Sequence, residues 1–333
     1  SEISNRSDRA ATPMSNVVYV SLDAPANVAW RVNWTNSIKA AIDMCPTGGV
    51  VHIAPGTYSL TAGLNVTSAI RIVGSGMDRT ILAGGGWMSN YRGITFDASG
   101  SNAVVSDLTI TRFRKEANGG GVYGGGTLIR CRLNGNVSAG LSGQNGGGAY
   151  YANLYDCTVN NNTGVNGGGV CGGNFTRCVI SNNYATTGGG AYGGDTCGKD
   201  SLITHNYAST GGGAVDAGTY YGCEFVSNST AGPYPAEAWD AALIGCRLRA
   251  GTNLIGAATS GTSRIYNTLV GSELWTFGAG TGDTTNTLDS ENAQLKANTN
   301  ILDWAAGTYN GRSWGGDTGA PTDAVARAMA NGA

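Results

Sequence analysis

Residues 146–192, GGGAYYANLYDCTVNNNTGVNGGGVCGGNFTRCVISNNYATTGGGAY, decide the fold. This stretch contains three copies of a triple glycine that begin 21 residues apart, and two further copies begin at Gly119 and Gly211. Each copy is followed by a small or branched residue and usually a tyrosine, so that Ala214–Val215 aligns with Ala191–Tyr192. A fixed period of this length is typical of solenoids, in which stacked coils build a core that one coil cannot bury alone.

Two more columns of residues accompany the glycines. A slot for a small residue is filled by Cys131, Cys157, Cys178, Ser201, Cys223 and Cys246, and five places later stand Asn136, Asn162, Asn183, Asn206 and Asn228. The residue two places after the slot is apolar, and strand side chains alternate, so this side of the strand is expected to face inward. Asparagine tolerates turn conformations, and stacked amides can hydrogen-bond along a column.

The period is too short for a pair of helices and lacks the leucine-rich consensus. It therefore predicts an all-β fold, a right-handed parallel β-helix solenoid with coils of about 21–23 residues. We predict an N-terminal arm and capping helix in residues 1–50 and the β-helix in residues 51–270. The helix is expected over Asn36–Cys45, with Asn36 or Ser37 as its cap and an apolar side formed by Ile38, Ala41 and Ile42. Residues 271–333 are rich in Gly, Thr, Asn and Asp, which predicts an irregular, loop-rich region with a short terminal helix over Pro321–Ala330.

The composition and net charge limit the kinds of molecule that the protein is expected to bind. The chain has 55 glycines among 333 residues, against about 7 % in an average protein, and 13 % of its residues are charged. The formal net charge of −2 argues against a nucleic acid or an anionic membrane as partner, because the densest basic cluster consists only of Arg112, Arg114 and Lys115. No apolar run is long enough for insertion into a membrane.

The cysteines are expected to be mostly structural. Five of the eight fill the inward slot, where cysteine acts as a small apolar residue, and stacked parallel Cβ atoms lie too far apart for disulfides. Cys171 and Cys197 lie off that column and are the candidate disulfide pair. No CxxC pair occurs, and His52 and His205 are far apart in sequence, so we expect no metal site and no cofactor.

Two groups of residues are candidates for a site. Carbohydrate-active enzymes use paired carboxylates, and Asp200, Glu224 and Arg247, with Arg177 nearby, form the best charged cluster. The alternative is a ladder of outward charges, because Arg130, Asp156, Arg177 and Asp200 alternate in sign from coil to coil.

The second group, Tyr234, Trp239 and Asp240, places aromatic rings beside a carboxylate and could bind a glycan. Packing of these rings on the side of the solenoid is the alternative.

Motifs in the chain resemble known families. GGGAV at Gly211–Val215 and FVSN at Phe225–Asn228 resemble the paired GGA and FxxN motifs of the polymorphic outer-membrane protein family, bacterial surface β-helices associated with adhesion. The segment Ser37–Gly56, with AAID followed by GGVVHIAPG, looks like a first coil of the pectin-lyase-like superfamily, which residues 20–270 resemble more broadly.

The regular columns favour a non-catalytic, extracellular or cell-surface protein with a structural or adhesive role, because active sites usually break local rules. Its partner would be a second copy, stacked head-to-tail in a filament or side by side, or a cell-surface polysaccharide. Secretion with removal of a signal peptide is expected. The alternative function is a polysaccharide lyase or glycoside hydrolase acting outside the cell, which the superfamily resemblance implies.

Overall fold

A computed structural model describes residues 16–23, 34–140, 143–232 and 237–249, and six short strand segments after residue 250. The chain divides into two compact units, Ser1–Gly164 (unit 1) and Val165–Ala333 (unit 2). Tyr234 and the helix predicted over Pro321–Ala330 lie outside the described residues, as does most of the predicted loop-rich region.

Unit 1 contains one α-helix, α1 (Ile38–Met44), within its described residues. Its strands are β1 (Val17–Val20), β2 (Trp34–Thr35), β3 (Val50–Ile53), β4 (Gly56–Ser59), β5 (Leu64–Val66), β6 (Arg71–Val73), β7 (Thr80–Ala83), β8 (Ile94–Phe96), β9 (Val104–Ser106), β10 (Thr109–Thr111), β11 (Arg114–Lys115), β12 (Val122–Tyr123), β13 (Thr127–Ile129), β14 (Arg132–Asn134), β15 (Val137–Ser138), β16 (Ala149–Tyr150), β17 (Asn153–Tyr155) and β18 (Thr158–Asn160).

The described strands of unit 2 repeat in the same order from coil to coil as far as β33. They are β19 (Val170–Cys171), β20 (Asn174–Thr176), β21 (Val179–Ser181), β22 (Tyr184–Thr187), β23 (Ala191–Tyr192), β24 (Cys197–Lys199), β25 (Leu202–Thr204), β26 (Tyr207–Gly211), β27 (Val215–Asp216), β28 (Thr219–Tyr221), β29 (Glu224–Val226), β30 (Ser229–Thr230), β31 (Ala238–Trp239), β32 (Ala242–Ile244), β33 (Arg247–Arg249), β34 (Ile255–Gly256), β35 (Arg264–Val270), β36 (Glu273–Phe277), β37 (Leu302–Asp303), β38 (Thr308–Tyr309) and β39 (Arg312–Ser313).

The predicted fold class is confirmed: each unit is a stack of parallel β-coils. In each regular coil, a short strand follows the glycines (face 1), and two strands separated by a tight turn come next (faces 2 and 3). In unit 2, face 1 is β19, β23, β27 and β31, face 2 is β20, β24, β28 and β32, and face 3 is β21, β25, β29 and β33, all paired in parallel within each face. In unit 1, β8, β12 and β16 form face 1 in the same way.

The helix α1 begins where the sequence places its cap. The Ser37 hydroxyl accepts a hydrogen bond from the Ala40 amide, which satisfies one of the unpaired donors of the first turn. Its apolar side is buried and packs against β1, β2 and β5. The strand β1 precedes the helix and pairs in parallel with β3, so a strand of the coil stack lies inside the segment that the sequence assigns to the arm.

The turn between faces 2 and 3 is made by one residue with left-handed backbone. In unit 1 this residue is Asp107, Arg130 or Asp156, with φ of 59°, 49° and 53°. Arg130 donates to the Asp107 carboxylate from Nε at 2.7 Å and Nη2 at 2.8 Å, and this hydrogen bond lowers the pKa of Asp107. Here two outward charges on neighbouring coils form a salt bridge.

The slot cysteines line the interior. Cys131 and Cys157 are at most 2 % exposed, and each thiol donates to the backbone carbonyl two residues earlier. All eight cysteines are thiols rather than disulfides. The bridge predicted between Cys171 and Cys197 is not formed in the structure, since the two cysteines lie on strands of different faces, β19 and β24.

The asparagine column forms an internal amide ladder. In unit 1 the Asn136 backbone N and Nδ2 donate to Asn162 Oδ1 at 2.9 and 3.1 Å. In unit 2 Asn183 donates in the same way to Asn206, and Asn206 to Asn228, at 2.8–3.0 Å. These five amides are at most 4 % exposed, so each rung satisfies polar groups that would otherwise be costly to bury.

In three coils the third glycine of the triplet, Gly121, Gly169 or Gly190, lies against an asparagine of the ladder. A Cβ on Gly121 would lie 3.0 Å from Asn136 Nδ2, and one on Gly190 would lie 3.1 Å from Asn206 Nδ2 and 2.6 Å from the Ala214 carbonyl oxygen. Backbone cannot move aside as a flexible side chain can. The glycines and the asparagines are therefore two halves of one packing arrangement.

The ladder of unit 2 ends on a buried carboxyl group. Glu237 is 0 % exposed and accepts from the Asn228 backbone N at 3.2 Å and from Asn228 Nδ2 at 2.5 Å. Glu237 takes the register position that Gly190 and Ala214 hold in the two preceding coils. At the next position of the asparagine column the sequence has Gly251. Burial raises the pKa of Glu237 to about 7, although its two hydrogen bonds with Asn228 act in the opposite direction.

One register expected from the sequence is wrong by a residue. Ala191 pairs with Val215 and Tyr192 with Asp216, so Ala214–Val215 does not align with Ala191–Tyr192. Gly188 and Gly212 share a φ of 62°, and the pairing of β22 with β26 shifts register between Ala185 and Thr187. One extra residue before the glycines moves Asp216 into the place of the tyrosine.

Substitution of the third glycine is expected to destabilise unit 2. Gly190→Ala forces a Cβ against the Ala214 carbonyl and the Asn206 amide, and overpacking of this kind costs about 1–3 kcal/mol. Gly194→Ala is the matched control, because a Cβ there meets nothing within 4 Å. Denaturant unfolding should show a lower midpoint for Gly190→Ala alone. Equal midpoints for the two variants would contradict the packing argument.

Glu237 is expected to make the fold more stable in acid. Its pKa is raised from 4.5 to about 7 on folding, so the stabilisation of the protonated form is complete below pH 4.5 and is lost as the pH rises through 7. Glu237→Gln should remove on the order of 3 kcal/mol of this pH dependence, measured as unfolding free energies at several pH values. Glu224→Gln, at a half-exposed glutamate, should keep it. If the unfolding free energy of Glu237→Gln depended on pH as that of the wild type does, the raised pKa of Glu237 would be contradicted.

Candidate active site on face 1 of unit 2

Four side chains lie in register on the outer side of face 1. Cys171, Tyr192, Asp216 and Trp239 occupy successive strands, about 4.8 Å apart as in any parallel sheet. Their preceding neighbours are fully buried apolar residues, and alternation along the strand directs the four to the opposite side.

Asp216 has the chemistry of a proton donor near neutral pH. It is only 9 % exposed, and burial raises the pKa of its carboxyl group from 3.8 to about 7, with the Asp240 charge contributing in the same direction. Desolvation and a neighbouring like charge both disfavour the ionised form. Such a shift beside an exposed carboxylate is typical of acid–base sites.

The backbone next to Asp216 is strained. Ala217 has a φ of 62°, and its amide donates to the Trp239 carbonyl oxygen at 2.8 Å. The equivalent turn residues after β19 and β23 are Gly172 and Gly193, which adopt positive φ without a steric cost. An alanine in this conformation costs about 1–2 kcal/mol, and the equivalent residue after β16, Tyr151, also has a positive φ, of 57°.

The neighbouring groups on face 1 stay neutral. Burial raises the pKa of Tyr192, with Asp216 and Cys171 contributing, so its hydroxyl remains a hydrogen-bond donor. Burial, with a contribution from Asp195, raises the pKa of Cys171 to about 12. Because the thiolate is the reactive form of cysteine, Cys171 is not a nucleophile at neutral pH.

The charged cluster expected from the sequence lies on face 3 and on the turns that precede it. Glu224 and Arg247 are register partners on face 3, whereas Asp200 and Arg177 are exposed turn residues between faces 2 and 3. None of them lies on face 1, and their catalytic role stays a prediction.

Two of the three residues expected to bind a glycan are neighbours of Asp216. Trp239 and Asp240 lie beside Asp216, whereas Tyr234 is outside the described residues.

Asp216 was missed because the coils were aligned on their glycines. Counting back from the slot does not recover the register either, because Asp216 lies seven residues before Cys223 whereas Tyr192 lies nine residues before Ser201. The strand pairing shows that Asp216 stands where the two adjacent coils have Tyr192 and Trp239.

Two other features of the described residues bear on whether there is a second functional site. A cavity of about 500 Å³ in unit 1 is lined by Tyr19, Val20, Ser21, His52, Ile53, Ala54, Pro55 and Ser75, and it has no carboxyl side chain in its lining. Within the described ranges no three His, Cys, Asp or Glu side chains converge as a metal site, and no helix there is long and apolar enough to cross a membrane.

Comparison with known proteins supports the fold. No family model and no curated protein matches the chain. Among solved structures, pectate lyase Pel9A is 15 % identical with a TM-score of 0.50, over 79 % of this chain and 78 % of that one. A carrot pectin methylesterase is 12 % identical with a TM-score of 0.43, over 77 % and 83 % of the two chains. The likeness to Pel9A confirms a right-handed parallel β-helix and, at this identity, shows the fold alone.

Proposed function

We propose that this chain is a polysaccharide lyase or glycoside hydrolase in which Asp216 is the general acid. The observation that carries the proposal is a nearly buried carboxyl group, with a pKa raised to about 7, on the outer side of face 1 between Tyr192 and Trp239. A carboxyl group with this pKa is protonated in about half of the molecules at pH 7, which suits proton donation.

Cleavage of a glycosidic bond by either route needs a proton on the leaving oxygen, and Asp216 would supply it. Asp240, exposed in the left-handed turn that follows Trp239, would be the second carboxylate. In hydrolysis a second carboxylate activates water or attacks the sugar, and in elimination it takes a proton from the ring. Aspartate accommodates positive φ better than most residues, so the turn can hold Asp240 at little cost.

The aromatic neighbours support a sugar substrate. Tyr192 and Trp239 flank Asp216 on the adjacent strands, and both are partly exposed. Flat rings with one polar group can cover the apolar face of a pyranose while donating a hydrogen bond to a hydroxyl group. A glycan along face 1 would therefore contact both rings and the Asp216 carboxyl group.

Asp216→Asn is expected to lower kcat by about 10²–10⁴-fold, because the amide cannot donate the proton. Wild-type activity should fall as the pH rises through about 7, where Asp216 loses its proton. A panel of acidic and neutral polysaccharides supplies substrates. New reducing ends without ultraviolet absorbance indicate hydrolysis, and absorbance from an unsaturated product indicates elimination.

Glu224→Gln is the matched variant, since it removes a carboxylate of the cluster on face 3. Full activity in Glu224→Gln and loss in Asp216→Asn support the site on face 1. The reverse result would move the chemistry to the cluster expected from the sequence, and turnover unaffected by Asp216→Asn would reject the proposal.

A structural or adhesive role at the cell surface is the second candidate. It is favoured by an outward stack in unit 2, where Tyr184 is 48 % exposed and its ring centroid lies 5.1 Å from that of Tyr207. Exposed stacked rings are suitable contacts for a second copy or a surface glycan. Electron microscopy across a concentration series should show fibres that Tyr184→Ser weakens. Dispersed particles at every concentration would remove self-assembly.

A further inference from the structure

A short turn in unit 1 presents two large apolar side chains to solvent. The connection between β7 and β8 contains a 3₁₀ turn, Gly86–Met88, in which Trp87 is 76 % exposed and Met88 is 96 % exposed. The turn is fixed at its base, because the Gly86 amide donates to the Arg112 carbonyl oxygen at 2.8 Å and the Ser89 hydroxyl donates to the Gly86 carbonyl oxygen at 2.7 Å. The exposure of Trp87 and Met88 therefore belongs to an ordered projection.

Cationic side chains surround this projection. Arg112 is exposed in the left-handed turn after β10, and Arg114 and Lys115 form β11. The Arg114 guanidinium carbon lies 6.0 Å from the centroid of the Trp87 ring, and Lys115 Nζ donates to the Asn90 carbonyl oxygen at 3.2 Å. Glu116 pairs with Arg114 at 3.0 Å, which leaves a local excess of two positive charges on a chain whose net charge is −2.

We propose that Trp87, Met88 and these cations form a peripheral docking site for an anionic lipid surface. Tryptophan favours the boundary between headgroups and acyl chains, methionine gains by leaving water there, and Arg and Lys attract acidic headgroups. The apolar pair is on a projection rather than in a groove, which suits penetration of a soft surface. Met88 offers no hydrogen bond to a sugar hydroxyl, so a glycan would leave the most exposed side chain unused.

The sequence argued against such a partner because its net charge is negative and Arg112, Arg114 and Lys115 are few. The structure adds what the sequence did not show: one turn of the solenoid brings Trp87 and Met88 beside them. A single apolar projection with two or three cations gives modest, reversible binding to a membrane. Stable anchoring would need a second membrane-binding element. The contact is peripheral and needs no spanning segment.

Co-sedimentation of the full chain with vesicles tests the proposal. We expect binding to vesicles of phosphatidylglycerol and phosphatidylcholine, much weaker binding to phosphatidylcholine alone, and a decrease with salt. Trp87→Ala/Met88→Ala should lower the bound-to-free ratio about tenfold, whereas Trp87→Phe/Met88→Leu should largely retain it. Arg112→Gln/Lys115→Gln should weaken binding and flatten its salt dependence.

Tyr155→Ala, which removes a ring that is 37 % exposed from β17 of the same unit, is the control and should bind as the wild type does. Unchanged circular dichroism and unfolding midpoints exclude a folding defect in each variant. Absent vesicle binding, or equal binding by wild type and Trp87→Ala/Met88→Ala, would overturn the proposal. The proposal would also be overturned if the wild type bound an acidic polysaccharide but not vesicles, and if that binding required Arg112 and Lys115.

Discussion

An internal asparagine that hydrogen-bonds along the stack holds each coil in shape. Asn206 donates to Asn228 beside Gly190, where a Cβ would lie 3.1 Å from Asn206 Nδ2, and in the next coil Ala214 takes the same register position. The asparagine follows a left-handed residue, so its amide turns inward at the end of the strand. A buried amide without such a partner would cost about 1–3 kcal/mol, and each rung both needs and supports the next. The regular spacing of both residue types follows from this one constraint.

Because every coil meets the same constraint, the sequence was sufficient to predict the fold class. The slot cysteines, the asparagines and the glycines repeat at intervals set by the coil, and the helix α1 was visible from Ser37 and its apolar spacing. The register of one coil was not predictable from the glycines, since the extra residue after Asn206 is absorbed within β26 without changing the triplet. Only pairing with β23 shows which side of the sheet Asp216 occupies.

The candidate site was harder to predict for the same reason. A sequence column indicates which residues are neighbours along the stack, and Glu224 and Arg247 are indeed register partners. It does not indicate whether the residues lie on one face or are removed from water. Asp200, at the turn, is exposed, whereas Asp216 is nearly buried. The raised pKa of Asp216 arises mainly from that burial, which no spacing encodes.

The departures from regularity in unit 2 fall within two neighbouring coils. Between Asp216 and Asp240 an aspartate replaces an aromatic residue, Ala217 occupies a turn that is glycine in the two preceding coils, and Glu237 stands where a glycine or alanine is expected. Two of these changes bury carboxyl groups and the third strains the backbone, and each costs stability. Two of these departures have structural parallels, since Tyr151 takes the same left-handed conformation after β16 and Glu237 completes the amide ladder by accepting from Asn228. The departure on which the proposed function depends is Asp216, whose carboxyl group is nearly buried between the partly exposed rings of Tyr192 and Trp239.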